Sequence, residues 1–319
     1  MLPRNTIEAL AVALTAALGD RLRLDEPLAN HTTSRLGGPA DIWLPVSHVD
    51  KLVEVVTLAR QHQVPIFMLG GGANILITDG GLRGLVIENR TRRIDLQPPQ
   101  PGSAQRSLIA DSGVVLPNLA RRCAREGLSG FEWAVGVPGT VGGAVVNNAG
   151  AYGRDMAATL VRAELLSPDG ERVWQPVAWL KYDYRTSSLK WQAHLEWVVL
   201  RAELQFTSAA PEAIEARMTG FNERRKSSQP PGATMGSMFK NPPGDYAGRL
   251  IEAAGLKGYR VGQAQISTVH ANFFHNLGGA TSTEMIELIE IAQQVVEDKF
   301  NVRLELEIEV VGESAKPTP

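Results

Sequence analysis

Two glycine-rich segments could do chemistry through their backbone. The first, GGGANIL, begins at Gly70, and the second, GVPGTVGGAVVNNAGAYG (136–153), holds six glycines in eighteen positions. Consecutive peptide N–H groups in such loops form concave anion sites that can hold a diphosphate without a basic side chain. Glycine-rich sequence is equally typical of tight turns packed against each other. The residues alone leave both interpretations open, although two such segments in adjacent units would suit one ligand held from two sides.

The first segment follows a predicted strand, VPIFML (64–69), as a dinucleotide fingerprint would. In that fingerprint the glycines open a helix, whereas here the continuation ILITDGGLRGLVIE is β-branched and interrupted by turns. An ordinary Rossmann site is therefore disfavoured. In the second segment, VPGT (137–140) suits a type II turn, and the pair Gly142-Gly143 would let a ligand or another backbone come close.

The surrounding pattern predicts α+β architecture in two or three compact units. Strand and helix patterns alternate from residue 40, and a proline-rich loop (96–103) marks the first boundary. The next unit contains a hairpin with Pro168-Asp169-Gly170 at its turn and ends near residue 206. The last region has a helix near 212–226, a helix opened by a capping box at Thr281, and a closing strand VRLELEIEVVG (302–312).

Composition excludes several classes of protein. Among 319 residues, 44% are apolar and 21% charged, and the formal net charge of −2 gives no footprint for nucleic acid. The single cysteine, Cys123, excludes an internal disulfide, suits a cytoplasmic location, and lies at helical spacing with apolar residues, as a small core residue would. No apolar run is long enough to span a membrane, and we predict no metal site.

The N-terminal run ALAVALTAAL (9–18) is about as long as the apolar core of a signal peptide. Asn5-Thr6 offers a helix cap, and Ile7, Leu10, Leu14 and Leu18 lie on one helical stripe. We therefore expect an amphipathic helix that belongs to the mature protein.

Five motifs in order resemble the UDP-N-acetylenolpyruvoylglucosamine reductase (MurB) family. They are GGGANIL, GVPGTVGGAVVNNAGAYG, YDYRTSS, GSMFKNP and KFNVRLELEIEVVG, within a similarity that runs from His31 to Gly312. The 52 positions between Arg185 and Ser237 leave little room for the extra substrate-covering insertion of the longer subtype. The chain therefore looks like the shorter subtype.

The resemblance implies a two-part FAD-binding region of the vanillyl-alcohol-oxidase-like type and a C-terminal α+β substrate-binding domain. The implied division is an N-terminal helix and lead-in (1–30), FAD-binding subdomains (31–95 and 96–206), the substrate-binding domain (207–312) and a tail (313–319). FAD would be bound without a covalent link. Its implied contacts are Gly70, Gly71, Gly72, Ala73, Asn74, Ile75, Gly136, Pro138, Gly139, Thr140, Gly142 and Gly143.

The implied reaction is the reduction of a UDP-sugar enolpyruvyl ether to UDP-N-acetylmuramate, with NADPH as reductant, in peptidoglycan synthesis. It needs a cation or acid at the substrate carboxylate and a proton donor on the correct face. Family motifs match Arg185 as the carboxylate ligand, Ser237 as the proton donor and Glu307 as the third catalytic residue. Lys240 could support a Ser237 alkoxide.

Each of these residues also has a purely structural interpretation. Arg185 could be a solvated loop arginine, and Ser237 a turn residue beside Gly236. In the closing strand, periodicity places Glu305, Glu307 and Glu309 on one solvated face, so that only the family motif distinguishes Glu307. Leu306 stands where proline is common in that motif, which puts the local backbone in question.

The resemblance also implies substrate contacts at Tyr152, Arg185, Lys240 and Asn241, while no protein partner, nucleic acid or membrane insertion is implied. Two alternatives stay open. A related FAD-dependent oxidase would keep the glycine segments but give GSMFKNP and the closing glutamate no role. A non-catalytic protein that binds flavin or a nucleotide sugar would tolerate replacement of all three catalytic candidates.

Overall fold

The computed structural model describes residues 3–19, 21–98 and 105–313. The predicted boundary loop (96–103) therefore lies largely outside the described residues, as does nearly all of the predicted tail (313–319). Within the described part, the helices are α1 (Arg4–Leu18), α2 (Val49–Gln61), α3 (Leu116–Arg125), α4 (Val141–Asn147), α5 (Pro211–Ser228), α6 (Ala247–Ala253) and α7 (Ser282–Phe300). None of these described helices is long and apolar enough to cross a membrane.

The first unit is a four-stranded sheet in the order β1-β2-β5-β3, in which β1 is antiparallel to β2 and the other pairs are parallel. Its strands, with the short β4 that follows the first glycine segment, are β1 (Arg23–Pro27), β2 (Pro39–Val46), β3 (Ile66–Leu69), β4 (Ile75–Ile77) and β5 (Leu82–Asn89). Helix α1 packs beside α2 on this sheet and buries Leu10 and Leu14. The predicted lead-in (1–30) is therefore continuous with the first unit.

The predicted N-terminal helix is confirmed, but its cap is not. Asn5 and Thr6 lie inside α1, and the residue that precedes the helix is Pro3, which has no side-chain bond to the helix. The predicted inward stripe at Leu10 and Leu14 is correct, because both side chains are fully buried.

The second unit is an antiparallel sheet in the order β12-β11-β13-β7-β6, with β8 also paired to β13. Its strands, with the small hairpin β9–β10, are β6 (Ile94–Leu96), β7 (Gln105–Asp111), β8 (Leu128–Ser129), β9 (Gly150–Ala151), β10 (Arg154–Asp155), β11 (Leu160–Leu166), β12 (Arg172–Pro176) and β13 (Val198–Ser208). The hairpin predicted around Pro168-Asp169-Gly170 is confirmed as β11–β12. Cys123 is buried in this core as predicted, and burial raises the pKa of its thiol to about 12.

The third unit is an antiparallel sheet in the order β14-β17-β16-β15, covered by α6 and α7. Its strands are β14 (Ala233–Ser237), β15 (Arg260–Val261), β16 (Ala264–Ile266) and β17 (Phe273–Asn276). The predicted capping box at the start of α7 is present, since Thr281 and Glu284 bond reciprocally. Helix α5, which the sequence assigned to this region, instead packs Ile214 and Met218 into the second core. The exact domain boundaries stay a prediction.

The closing strand is shorter than predicted. Only β18 (Glu309–Val311) is regular, and it pairs in parallel with β4 of the first unit. Residues 302–308 form no regular strand, and Leu304 and Ile308 are buried in the third core. The backbone there bonds irregularly to the Ser237 region, since the Glu307 amide donates to the Met238 carbonyl at 2.9 Å. The C-terminal segment thus joins the first and third units.

Candidate active site

A cleft of about 430 Å³ lies where the three units meet. The first unit contributes residues between Phe67 and Ile75, and the second contributes residues between Val137 and Tyr152 together with Arg185. The end of α5, the strand β14 and the C-terminal segment also line the cleft, together with Leu116 of α3 and Phe273 of β17. The two glycine-rich segments therefore face one cavity, as the sequence suggested.

The two glycine segments touch each other where they line the cleft. A Cβ on Gly70 would lie 2.6 Å from the Thr140 hydroxyl oxygen, and one on Gly71 would lie 3.1 Å from the Gly139 Cα. Thr140 also caps α4, where its hydroxyl accepts a hydrogen bond from the Gly143 amide. Gly70 and Gly71 therefore have no room for a side chain where they meet the second segment.

Gly72 fixes the first segment against the loop before β2. Its φ of +59° is in the left-handed region, and a Cβ there would lie 2.2 Å from the His31 carbonyl oxygen. Ala73, Asn74 and Ile75 follow it along the lining. The Asn74 side chain donates a hydrogen bond to the Glu307 carbonyl at 3.1 Å, so this segment also holds the C-terminal residues.

Pro138, Gly139, Thr140 and Gly143 line the cleft, but two other predicted cofactor contacts do not. A Cβ on Gly142 would lie 3.0 Å from the Ser112 Cβ, so this glycine permits α4 to pack on the second sheet. At Gly136 the missing Cβ makes room for the side chain of Arg225. Both residues serve packing around the cleft rather than its surface.

Arg185 is held firmly in the cleft wall. Its Nε donates to Glu307 Oε1 at 2.7 Å, and its Nη2 donates to the Gly150 carbonyl at 2.7 Å. Its φ of +56° lies in the left-handed region, in a tight turn closed by the Asp183–Thr186 bridge. Such strained backbone at a non-glycine residue persists only when the surroundings over-determine it. The interpretation of Arg185 as a solvated loop residue is therefore wrong.

Glu307 differs from its neighbouring glutamates in burial. Its side chain is 17% exposed, whereas those of Glu305 and Glu309 are 75% and 40% exposed. Burial raises the pKa of the Glu307 carboxyl, and the positive charge of Arg185 opposes that rise. The structure thus separates Glu307 from the solvated face on which the alternation had placed all three.

Ser237 ends β14 and lines the same cleft as Arg185 and Glu307. Gly236, with a φ of +80°, turns the strand just before it, and Met238 and Phe239 are buried directly after it. The serine is therefore presented by a bend between a strand and the third core. Arg185, Ser237 and Glu307 come from distant parts of the chain and meet at one cavity.

The predicted substrate contacts are divided by the structure. Tyr152 lines the cleft, has a left-handed φ of +56°, stacks on Phe221 and donates its hydroxyl to the Phe221 carbonyl at 3.0 Å. Lys240 and Asn241 do not line the described cleft. The Lys240 Nζ lies 3.5 Å from Glu305 Oε2, and Asn241 Oδ1 accepts from the Ala247 amide at the start of α6.

Comparison with known proteins decides the family. Residues 228–311 match the family described as UDP-N-acetylenolpyruvoylglucosamine reductase, C-terminal domain, and residues 40–175 match the FAD binding domain family. The reductase of Rubrobacter xylanophilus is 45% identical over 91% of this chain and 95% of its own, and that of Chloroflexus aggregans is 42% identical over 91% and 97%. The crystal structure of MurB from Thermus caldophilus, 35% identical, superposes with a TM-score of 0.75 over 91% of this chain and 99% of that one.

The chain belongs to the UDP-N-acetylenolpyruvoylglucosamine reductase family. The resemblance read from the five motifs is therefore confirmed. So is the predicted order of an FAD-binding region followed by a C-terminal domain. Between Arg185 and Ser237 the described chain of this reductase family member holds short turns and 3-10 helices, β13, α5 and β14, with no inserted domain.

The reductase cleft fits FAD by the form of its wall. The cofactor carries a diphosphate, and Gly70, Gly71, Gly72, Gly139 and Gly143 bring main chain without side chains into the lining of the cavity. Main-chain N–H groups in such concave loops bind phosphate oxygens. The donors of this wall are therefore of the type that the cofactor requires.

The end of α5 also lines this reductase site, which the sequence did not predict. Arg225, Ser228 and Gln229 all line the cleft. Basic residues in the last turn of a helix are expected from the helix dipole alone. The cluster Arg224-Arg225-Lys226 therefore carried no separate signal of a binding site.

Proposed function

We propose that this chain is an NADPH-dependent flavoprotein that reduces UDP-N-acetylenolpyruvoylglucosamine to UDP-N-acetylmuramate in peptidoglycan synthesis. The family assignment supports the reaction and the FAD cofactor. The observation that carries the division of roles is the meeting of Arg185, Glu307 and Ser237 on one cleft with the bare glycine wall. In this arrangement the glycine segments form the surface proposed for FAD, and Arg185, Glu307 and Ser237 form the group of side chains proposed for the reaction.

FAD bound in this cleft would supply the hydride chemistry of the reaction, with NADPH as the reductant and the terminal enolpyruvyl carbon as the hydride acceptor. Negative charge then develops on the adjacent carbon and spreads into the attached carboxylate. Arg185 is the cation suited to that carboxylate, because its planar guanidinium offers paired N–H donors that lysine cannot copy. Its bonds to Gly150 and Glu307 fix the orientation of those donors in advance.

Ser237 would supply the proton that completes the reduction. The Oγ–H bond breaks as a C–H bond forms at the carbon beside the carboxylate, and the serine recovers its proton from solvent. A hydroxyl is a weak acid, so this transfer requires a strongly basic carbon and a supported alkoxide. The Lys240 Nζ faces Glu305, and its support of Ser237 stays a hypothesis.

Glu307 would adjust the charge around Arg185. In the absence of substrate it is the carboxylate that accepts from the arginine. When the substrate carboxylate binds Arg185, two carboxylates would lie beside one guanidinium. Burial already raises the pKa of Glu307, so Glu307 is the carboxylate that would take up a proton. We assign Glu307 the role of a carboxylic acid that hydrogen-bonds within the occupied site.

We assign Tyr152 to the UDP moiety, since its ring lines the cleft beside α5. Asn241 and Lys240 are proposed for the same moiety on the basis of the family motif GSMFKNP. Contact with them would require the substrate to extend beyond the described cleft. A cytoplasmic location is part of the proposal, since both NADPH and the nucleotide sugar are cytoplasmic compounds.

An anaerobic visible spectrum tests the proposed function. The purified protein should be yellow, bleach on addition of NADPH, and recover its colour on addition of the enolpyruvyl UDP-sugar. Bleaching without recovery would contradict the substrate, and rapid recovery in air alone would favour an oxidase. A colourless protein that takes up no FAD would contradict the whole proposal.

The role of Ser237 is tested by separating the two half-reactions. Ser237→Ala should leave bleaching by NADPH near normal and slow recovery by the UDP-sugar, because the proton is needed only in the second half-reaction. Equal slowing of both would contradict the assignment. Ser227→Ala is the matched control, since Ser227 is an exposed serine on α5 that does not line the cleft.

A further inference from the structure

Arg225 lies in the last turn of α5 and lines the cleft. Its guanidinium makes no hydrogen bond or ion pair with any residue that the structure describes, in contrast to Arg185, which is bonded to Glu307. Burial lowers the pKa of Arg225, and Tyr152 is the group that opposes this effect. Arg225 is therefore a half-buried arginine that lines the cavity and has no acidic partner among the described residues.

The protein makes room for this arginine. A Cβ on Gly136 would lie 2.7 Å from Arg225 Cδ and 3.3 Å from Asn222 Oδ1. The stem of Arg225 thus crosses the bare backbone of Gly136, which explains why a glycine that does not line the cleft stands there. Taking a cation out of water without a partner costs free energy, and the usual compensation is an anion.

The groups around Arg225 are suited to a polar ligand. Gln229, one helical turn further along the chain, lines the cleft, and its Oε1 is buried without a hydrogen-bond partner among the described residues. Ser228 lines the cleft as well. No carboxylate appears among the charge effects on Arg225. These groups suit a ligand that accepts hydrogen bonds from the Arg225 guanidinium and forms further hydrogen bonds with Ser228 and Gln229.

We propose that Arg225, seated over Gly136, binds the diphosphate of a nucleotide in the cleft. This inference rests on the proposed function, because FAD, NADPH and the UDP-sugar are the ligands it provides, and all three carry a diphosphate. A guanidinium matches two phosphate oxygens at once, which is the recognition that an ammonium group does not reproduce. Arg225 therefore adds a charged side chain to a cleft whose glycine wall offers only backbone.

The test compares Arg225→Met with Lys226→Met. Lys226 is the next residue along α5, is exposed and does not line the cleft, so this control removes the same charge from the same turn. Apoprotein is titrated with FAD by fluorescence quenching, and FAD-loaded protein is titrated with UDP and with NADP⁺ by the change in flavin absorbance. These are binding measurements and require no turnover.

Arg225→Met should weaken at least one of the three nucleotides about tenfold or more, as expected for loss of a charge-assisted hydrogen bond. Lys226→Met should stay within about twofold of the parent protein, as a solvated charge does. Weakening of FAD assigns the contact to the cofactor, whereas weakening of UDP or NADP⁺ assigns it to the substrate or the reductant. Equal affinities of both variants for all three nucleotides would overturn the proposal.

Two further variants keep the test valid if Arg225→Met folds poorly. Arg225→Lys keeps the charge but loses the planar pair of donors, so the same nucleotide should bind about threefold or more weakly. Gly136→Ala displaces the arginine without removing it and should weaken that nucleotide too. Unchanged affinities in both variants would also contradict the inference. A parent protein that binds FAD but is not reoxidised by the UDP-sugar would contradict the proposed function, and these titrations would still report on Arg225.

Discussion

The two sides of the cleft are built from different material. The side that we assign to FAD is built around glycine main chain, where Gly70 meets the Thr140 hydroxyl and Gly71 meets Gly139. The side that we assign to the reaction is made of side chains from separate parts of the chain, of which the Arg185–Glu307 pair is the clearest. The glycine side has no charged side chain that a substitution could remove and no space for an added side chain at Gly70 or Gly71. On the side-chain side, each charged group can be removed by a single substitution. Added Cβ atoms should therefore change cofactor affinity, and removed charges should change turnover.

Arg185→Met should produce the largest effect and the strongest test of this contrast. Loss of the guanidinium should slow reoxidation of the flavin by the UDP-sugar roughly 10²–10³-fold, as for removal of a preorganised donor at developing negative charge. Stopped-flow absorbance measures this step separately from reduction by NADPH, which should change little. Arg154→Met, an exposed arginine on β10, is the control. An equal slowing of both steps would show that the two sides are not separable.

Gly70→Ala tests the opposite side. The new Cβ would lie 2.6 Å from the Thr140 hydroxyl, so the two segments must move apart. Overpacking of this kind costs about 1–3 kcal/mol, and we expect FAD affinity to fall roughly 5- to 150-fold. Equilibrium titration of apoprotein with FAD measures it. In Gly220→Ala, where an added Cβ on α5 has open space, affinity should stay unchanged and the helix should gain about 0.5–1 kcal/mol. Normal FAD binding by Gly70→Ala would mean that the two glycine segments can move apart without loss of the cofactor site.

The pH dependence of the reaction with the UDP-sugar should depend on the ionisation of Glu307. Burial raises the pKa of this carboxyl, and Arg185 opposes the rise. A substrate carboxylate that binds Arg185 weakens that opposition, so Glu307 takes up a proton on binding. The value of kcat/KM for the UDP-sugar should then fall as pH rises through the raised pKa, with a limiting slope of about tenfold per pH unit because one proton is bound.

Glu307→Gln should remove this descent at high pH, and Glu305→Gln, at an exposed position, should retain it. Calorimetric titration in two buffers of different ionisation enthalpy measures the proton uptake directly. The assignment fails if the descent keeps its size and position in Glu307→Gln.

The smallest effect is expected at a second ion pair that joins the same two parts of the molecule. The Lys190 Nζ lies 2.7 Å from Glu309 Oε1 and donates to Asn147 Oδ1 at 2.9 Å. Because both charged groups are partly exposed, their coupling should be about 0.2–1 kcal/mol. A double-mutant cycle with Lys190→Met and Glu309→Gln, followed by denaturant unfolding, measures this coupling. A coupling free energy above about 2 kcal/mol would show that Lys190 forms a strong ion pair, as Arg185 is expected to, and is not an ordinary surface charge.

Local signals in the sequence predicted local structure well. The capping box of Thr281 and Glu284 and the turn at Pro168-Asp169-Gly170 are both present, because residues three positions apart decide them. The sequence left open whether the two glycine segments hold one ligand or pack against each other, and in the structure they touch each other and both line the cleft. Backbone that must approach other backbone leaves a visible mark in the sequence, since only glycine permits it.

Features decided by distant parts of the chain were not predictable in this way. Alternation treats Glu305, Glu307 and Glu309 alike, and only burial against other elements distinguishes Glu307. Arg225 looks like any basic residue at a helix end, because its unpartnered guanidinium is a property of the packed cleft. Gly142 was predicted to contact the cofactor, and the structure places it against Ser112 and outside the cleft lining, since a glycine does not reveal which neighbour requires it.

The pairing of β18 with β4 has a consequence for the order in which the enzyme is assembled. The Asn74 side chain and the Glu307 carbonyl that it bonds are 233 positions apart. During synthesis, both FAD-binding units leave the ribosome well before the glutamate and the strand that hold the first glycine segment in place. Contacts of such long sequence separation form late. A nascent chain that has not yet reached residue 307 therefore lacks both the last catalytic candidate and the segment that holds the first glycine-rich loop in place.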